Sequence, residues 1–347
     1  MARILYGVMG DARGHVSRAS TVTQDMKEHD FLFVGGGHVH DLEAEGFSVE
    51  DVPMASTLYR NNRVDVPSTV RHALGVFLNS GSVLRRVCQI IKHFDPDLIL
   101  TDYEYFTPRA ARRLGRPCVS LDHQHVLTHC TYEPPAGQRM SRMMTCGAIR
   151  RLYSSASDYL IVSFFRPAPI DPATTVVAPP VIRAAVRKQE AVQGDHVLVY
   201  QTSPTFHRLI PVLERTDRRF IIYGLGKPSN RNNLEFKEPS KAGFLHDLAS
   251  SRYVITNGGH NVLSEALYLG KPVLCFPIAN AYEQFINAFF LARLGYGDYS
   301  VSAAPHPDIL KKFESRVDRY RANIATGKFF GNPFVAARLN RFLKHET

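Results

Sequence analysis

At 347 residues, 44% of them hydrophobic, the chain is long enough for two buried cores. It carries 42 Lys and Arg against 32 Asp and Glu, a net charge of +10, with no aromatic–basic interleaving or motif of a nucleic-acid binder. No apolar run reaches the ~18 residues of a transmembrane helix, and Gly10 and Asp11 break the N-terminal stretch too soon for a signal peptide. Five cysteines, an odd number without a C-x-x-C pair, predict reduced thiols and a cytoplasmic location.

Arg3 to Val8 reads as a first buried strand. Glycines 7, 10 and 14 follow as G-x-x-G-x-x-x-G, which is not the G-x-G-x-x-G of a dinucleotide site. A helix is predicted from His15 to about Met26. The helix dipole disfavours an imidazolium at that end, so His15 suits proton acceptance; a cap touching only backbone is the plainer reading. Asp11 is a second candidate base. Phe31 to Val34, three glycines and a helix to Gly46 make another strand–helix unit.

Residues 55–92 mix Leu74, Val76, Leu84, Val87 and Ile91 with Arg60, Arg63, Arg71, Arg85, Arg86 and Lys92, and 139–151 mix methionine with arginine. Such stretches predict either peripheral contact with an anionic membrane or a lipid-linked substrate, or amphipathic helices packed inward. Pro96 to Asp102 is a buried strand that delivers Asp102 at the end where ligands of open α/β sheets gather. Asp95–Pro96–Asp97 is formally D-x-D, but its place before a strand reads as a turn. A helix over Thr107–Leu114 and a strand over Cys118–Leu121 lead to Asp122, His123, Gln124, His125, His129 and Cys130. Their spacing matches no usual zinc set. His123 and His125 either line an acceptor site at the strand end or are ordinary loop histidines. Tyr159 to Ser163 is the last strand of this half.

Five prolines between Phe164 and Pro180 predict a linker over 164–182 between domains 1–163 and 183–330. Val197 to Tyr200 restarts a strand. Ser203 and Pro204 then suit the N-cap and first position of a helix through Glu214. Strands follow at Phe220–Tyr223, Tyr253–Thr256 and Val273–Phe276, and a terminal helix at Asn332–Lys344. Alternating strand and helix in both halves predicts two parallel sheets, each covered on both faces. The charge is uneven: 19 basic against 18 acidic residues in 1–180, and 23 against 14 in 181–347. That excess suits an anionic ligand or is a solvated basic surface.

Between the last two of these strands, Asn257–Gly258–Gly259–His260 leads into a helix over Asn261–Leu269 that Gly270 and Pro272 stop. A strand, two glycines and a helix N-terminus make an anion site, because the first helix N–H groups lack internal partners and the dipole is positive there. Glu265 lies in position to accept bonds from a ribose, and Glu283 and Gln284 offer groups that read sugar hydroxyls.

Thr256 to Leu267 resembles the signature of UDP-sugar-dependent glycosyltransferases of the GT-B fold, including the enzyme that forms lipid II. The resemblance implies two Rossmann-like, doubly wound domains facing a cleft. It implies donor diphosphate on Gly258 and Gly259, ribose on Glu265, and donor sugar on Glu283 and Gln284. Many members have histidine before the two glycines; here Asn257 stands there and His260 follows, so either could be the phosphate ligand, with Asn261 beside them. Phe244 and Leu245 match the segment whose backbone pairs with uracil, and Ser203 loosely matches a phosphate-touching turn. Gly14–His15 resembles the N-terminal Gly-His of the fold, whose histidine is the base in several branches and whose aspartate partner matches Asp102. In this fold the terminal helices return to the first domain, which is the expectation for 331–347. The implied activity is a metal-independent, inverting transfer from a UDP-sugar to a lipid-linked, glycan or small-molecule acceptor, with no cofactor. A UDP-N-acetylglucosamine 2-epimerase and a non-catalytic nucleotide-sugar-binding protein are the alternatives.

Overall fold

The computed structural model describes residues 1–60, 63–78, 80–201, 206–226, 229–238 and 240–344. The chain divides into two compact units. Unit 1 holds Met1–Leu58, Asp65–Arg183 and Phe330–Thr347; unit 2 holds Tyr59–Val64 and Ala184–Phe329.

Unit 1 is a seven-stranded sheet. Its strands are β1 (Arg3–Val8), β2 (Asp30–Gly35), β3 (Ser48–Asp51), β4 (Leu98–Asp102), β5 (Val119–Asp122), β6 (Asp158–Val162) and β7 (Thr175–Ala178). Their spatial order is β7-β6-β5-β4-β1-β2-β3, all parallel. Helices close both faces. Ile4, Tyr6 and Val8 point to one face and pack with Val16, Ala19 and Val22 of α1 (Arg13–Asp25). Leu5 and Ile99 point to the other and meet Val87 and Ile91 of α3 (Ser80–Phe94), which follows α2 (Val66–Leu78). Alternate residues of a strand face opposite ways, so a strand covered on both sides is apolar throughout. Phe106, Ala110 and Ala111 of α4 (Phe106–Arg113) share the second face, and α5 spans Arg139–Ala148.

Unit 2 has six parallel strands: β8 (Val197–Tyr200), β9 (Phe220–Tyr223), β10 (Leu234–Phe236), β11 (Val254–Thr256), β12 (Val273–Cys275) and β13 (Gly297–Tyr299). They lie in the order β10-β9-β8-β11-β12-β13. Helices α6 (Ile210–Glu214), α7 (Lys241–Ala249), α8 (His260–Tyr268), α9 (Tyr282–Arg293), α10 (Ile309–Glu314) and α11 (Val317–Ala325) complete it. The last helix, α12 (Asn332–Leu343), belongs to unit 1, where Val335 and Leu339 join the core beneath α1.

Three expectations need correction. The proline-rich stretch 164–182 is not a free connection: within it β7 pairs with β6 as the edge strand of the first sheet, and prolines are tolerated beside an edge. Residues 59–64 belong to unit 2, where Val64 N–H donates to Ala279 O at 3.1 Å. The helix expected through Glu214 begins late: a 3₁₀ turn at His207–Leu209 leads into α6. Ser203 and Pro204 lie outside the described residues.

Candidate functional site

Each sheet grows in both directions from its first strand. In unit 1 the order reverses between β1 and β4, in unit 2 between β8 and β11. Loops leaving neighbouring strands diverge at such a point and open a crevice at the carboxyl ends. The predicted catalytic and phosphate-binding groups fall at these two points.

In unit 1, Val8 is in register with Asp102. The loop after β1 enters α1, whose third residue is His15; Gly14 precedes it, partly buried. His15 Nδ1 lies 2.7 Å from Asp102 Oδ1, although 87 residues separate them. The His15 side chain is 12% exposed and Asp102 is fully buried. With Nδ1–H directed at the carboxylate, Nε2 keeps its lone pair for a proton. The Tyr103 ring, on a backbone with φ of +54°, stacks parallel to the imidazole at 5.9 Å between centroids. Asp11 does not join this pair; its carboxylate accepts Thr57 N–H at 2.8 Å.

Arg18 is one residue that sequence reasoning missed. Its Nε donates to Asp102 Oδ2 at 2.7 Å and its Nη2 to Oδ1 at 2.6 Å. Its Nη2 also lies 3.2 Å from His15 Nδ1. Burial opposes its charge, but Asp102 outweighs burial and holds the guanidinium protonated beyond its ordinary range. The available signal was spacing: residues three apart share a helix face.

His123 and His125, for which an acceptor site and ordinary loop positions were both open, are fully buried. His123 Nδ1 lies 2.9 Å from Val162 O. His125 Nδ1 lies 2.6 Å from Asp122 Oδ2, to which Ser120 Oγ also donates. Burial raises the Asp122 pKa, but His125 and Ser120 overcome it and hold the carboxyl well below its usual range. Both side chains turn into unit 1 because β5 is central and its end is roofed by aromatic rings, among them Phe165 on His123 and Tyr159 on His125. Among the described residues no three His, Cys, Asp or Glu side chains converge as a metal site.

In unit 2, β11 runs into Asn257, which is buried and donates from Nδ2 to Gln201 Oε1 at 2.5 Å. Gln201, which directly follows β8, carried no sequence signal. Gly258 has φ of +96°, and a Cβ there would come within 2.9 Å of Gln284 O, so only glycine fits without strain. Asn287 Nδ2 holds the Gly258 carbonyl at 3.1 Å. Gly259 is the N-cap of α8, and among the described residues nothing lies within 4 Å of where its Cβ would stand. A helix N-terminus entered through glycine presents main-chain N–H groups that suit an anion. His260 opens the helix, 6% exposed; Asn261 is partly buried, and Glu265 is 3% exposed in the second turn.

Ser240 caps α7, accepting Gly243 N–H at 3.2 Å. Phe244 on this helix meets Tyr200 and Tyr223, which end β8 and β9, at 5.1 and 5.4 Å between centroids. Leu245 is buried. Tyr223 and Lys237 both donate to Asp247 Oδ2, at 2.7 and 2.8 Å. Glu283 stands in the first turn of α9, and Gln284 Oε1 accepts Ile278 N–H at 3.1 Å.

The profile of glycosyl transferase family 1 matches residues 2–318. An uncharacterized glycosyltransferase of Methanosarcina acetivorans is 24% identical over 343 residues, covering 89% of this chain and 86% of that protein. Among solved structures, Phytolacca americana UGT2 with UDP-2-fluoroglucose and pterostilbene superposes with a TM-score of 0.69 at 14% identity, covering 97% and 98% of the two chains. Acinetobacter baumannii MurG gives 0.64 at 14% identity, covering 98% and 100%. With two parallel sheets of the GT-B architecture and a profile match over nearly its whole length, the chain belongs to glycosyl transferase family 1.

Proposed function

We propose that the protein transfers a sugar from a UDP-sugar to an acceptor hydroxyl, inverting the anomeric centre without a metal. The observation that carries this reading is the Gly258–Gly259 turn at the N-terminus of α8, where only glycine fits position 258 without strain and no described residue crowds the Cβ position of Gly259. Main-chain amides at Gly259, His260 and Asn261 receive the diphosphate, Glu265 the ribose, and Phe244 and Leu245 the uracil. Glu283 and Gln284 meet the donor sugar, and Asn257 fixes the turn. His15 Nε2 takes the proton of the acceptor hydroxyl. The oxygen attacks the anomeric carbon from the face opposite the leaving group, and the bond to UDP breaks with its electron pair on the diphosphate. Preorganised amides stabilise that developing charge, and loss of one such donor typically slows a reaction about 10²- to 10³-fold.

The test pairs two variants. His15→Ala is expected to lose transfer while binding UDP as the parent does; retained turnover removes His15 from the base role. Glu265→Ala is expected to weaken UDP binding by roughly tenfold or more, the loss of a charge-assisted hydrogen bond, measured by calorimetry. Unchanged UDP affinity removes Glu265 from the donor site. Transfer should need an acceptor, whereas an epimerase would convert the nucleotide sugar alone.

A further inference from the structure

A carboxylate as deeply buried as Asp102 needs a counter-charge. Two nitrogen bases compete to supply it. One is Arg18, 4% exposed, which closes a two-pronged fork on both carboxylate oxygens. The other is His15, whose Nδ1 shares Oδ1 with Arg18 Nη2. Only one positive charge balances one carboxylate. If His15 supplied it, the ring would arrive already protonated and could accept nothing.

We propose that Arg18 is a positioning residue: it neutralises Asp102 permanently, so that His15 keeps the carboxylate as an orienting partner yet remains uncharged and ready to take a proton. Protonation of His15 would put an imidazolium 3.2 Å from a guanidinium that already claims the carboxylate. The other groups around the pair offer no relief. Tyr103, from the loop after β4, stacks on the ring through its aromatic face. Tyr6, on β1, is held neutral by burial first and by Asp102 second. Asp122, on β5, whose charge acts on Arg18, is already bonded to His125 and Ser120. Arg13, on the same helix, is exposed and lies 4.0 Å from Asp41. Arg18 is not placed to bind a substrate anion itself, because it is buried and its fork is closed.

This inference rests on the proposed role of His15 for its functional meaning, but its test does not. The full-length chain, labelled with ¹⁵N and ¹³C in histidine, is titrated by NMR, with the His15 signals identified by their loss in His15→Gln. In wild type the ring nitrogens should report the neutral Nδ1–H form at pH 7.5; an imidazolium there overturns the proposal. In Arg18→Met the His15 transition should move to higher pH, with proton affinity raised about tenfold or more. Arg18→Lys, which keeps the charge but not the fork, should fall between. Asp102→Asn should move the transition the other way. A folded Arg18→Met whose His15 transition stays at the wild-type position overturns the proposal. If that variant does not fold, Arg18→Gln reads the same quantity, and the wild-type ring form stands as an independent check. Should no UDP-sugar prove a donor, the titration result is unaffected.

Discussion

His129 illustrates how burial sets ionisation at single residues here. Its ring packs on Tyr159 with centroids 3.9 Å apart, and burial, followed by the neighbouring His125, pushes its pKa down to about 4. The folded protein therefore binds fewer protons at this position than the unfolded chain, between the free-histidine value near 6.5 and about 4. Stability contributed by the neutral ring is present above that window and is lost as pH falls through it. The full shift corresponds to about 3 kcal/mol, and partial solvation reduces it to roughly 1–2 kcal/mol. Melting temperature should fall between pH 6.5 and 4, and His129→Phe should flatten that slope; an unchanged slope would place the acid sensitivity elsewhere. At this scale residue types were legible in advance and partners were not. His15 and Asp102 could each be picked out by their place at a helix start and a strand end. Arg18 offered only its place three residues on from His15, and nothing in that spacing says that both prongs close on one buried oxygen pair. Gln201 escaped for the same reason: its importance comes from Asn257, 56 residues away.

At the level of elements, regular apolar runs were legible and edges were not. Central strands such as β1, β8 and β9 run where continuous apolar stretches predict them. The edge strand β7 was hidden among prolines, and β3, four residues that end on Glu50 and Asp51, gives no buried-strand signal. Helix α2 resolves half of the ambiguity in 55–92. It is helical, but Val70, Leu74 and Leu78 are 51%, 58% and 84% exposed, so this row at four-residue spacing does not pack inward. Arg71 lies on the same helix. Vesicles containing anionic lipid should therefore retain the protein, and Leu74→Glu with Leu78→Glu should reduce retention about tenfold or more. If the wild-type chain floats free of anionic and neutral vesicles alike, the membrane reading fails. No helix among the described residues is long and apolar enough to cross a membrane.

For the molecule as a whole, the strand order of both sheets follows from alternating strand and helix, because right-handed crossovers leave few topologies. The boundaries do not follow, since residues 59–64 and 330–347 each join the unit other than their sequence neighbours. The basic excess in 181–347 makes a kinetic prediction. The screening length falls from about 10 Å at 0.1 M salt to about 3 Å at 1 M. UDP association should therefore slow by roughly tenfold or more across that range while dissociation changes less; a salt-independent rate would mark the excess as ordinary solvated surface. Finally, Val335 and Leu339 of α12 cover the core beside α1. The first unit to leave the ribosome is thus the last to be finished: its apolar flank stays bare until residues near 340 emerge, while unit 2, which ends at Phe329, can already collapse. Any nascent chain stalled between those points would carry a finished second unit behind a sticky first one, and that is the stage at which a chaperone would have its claim.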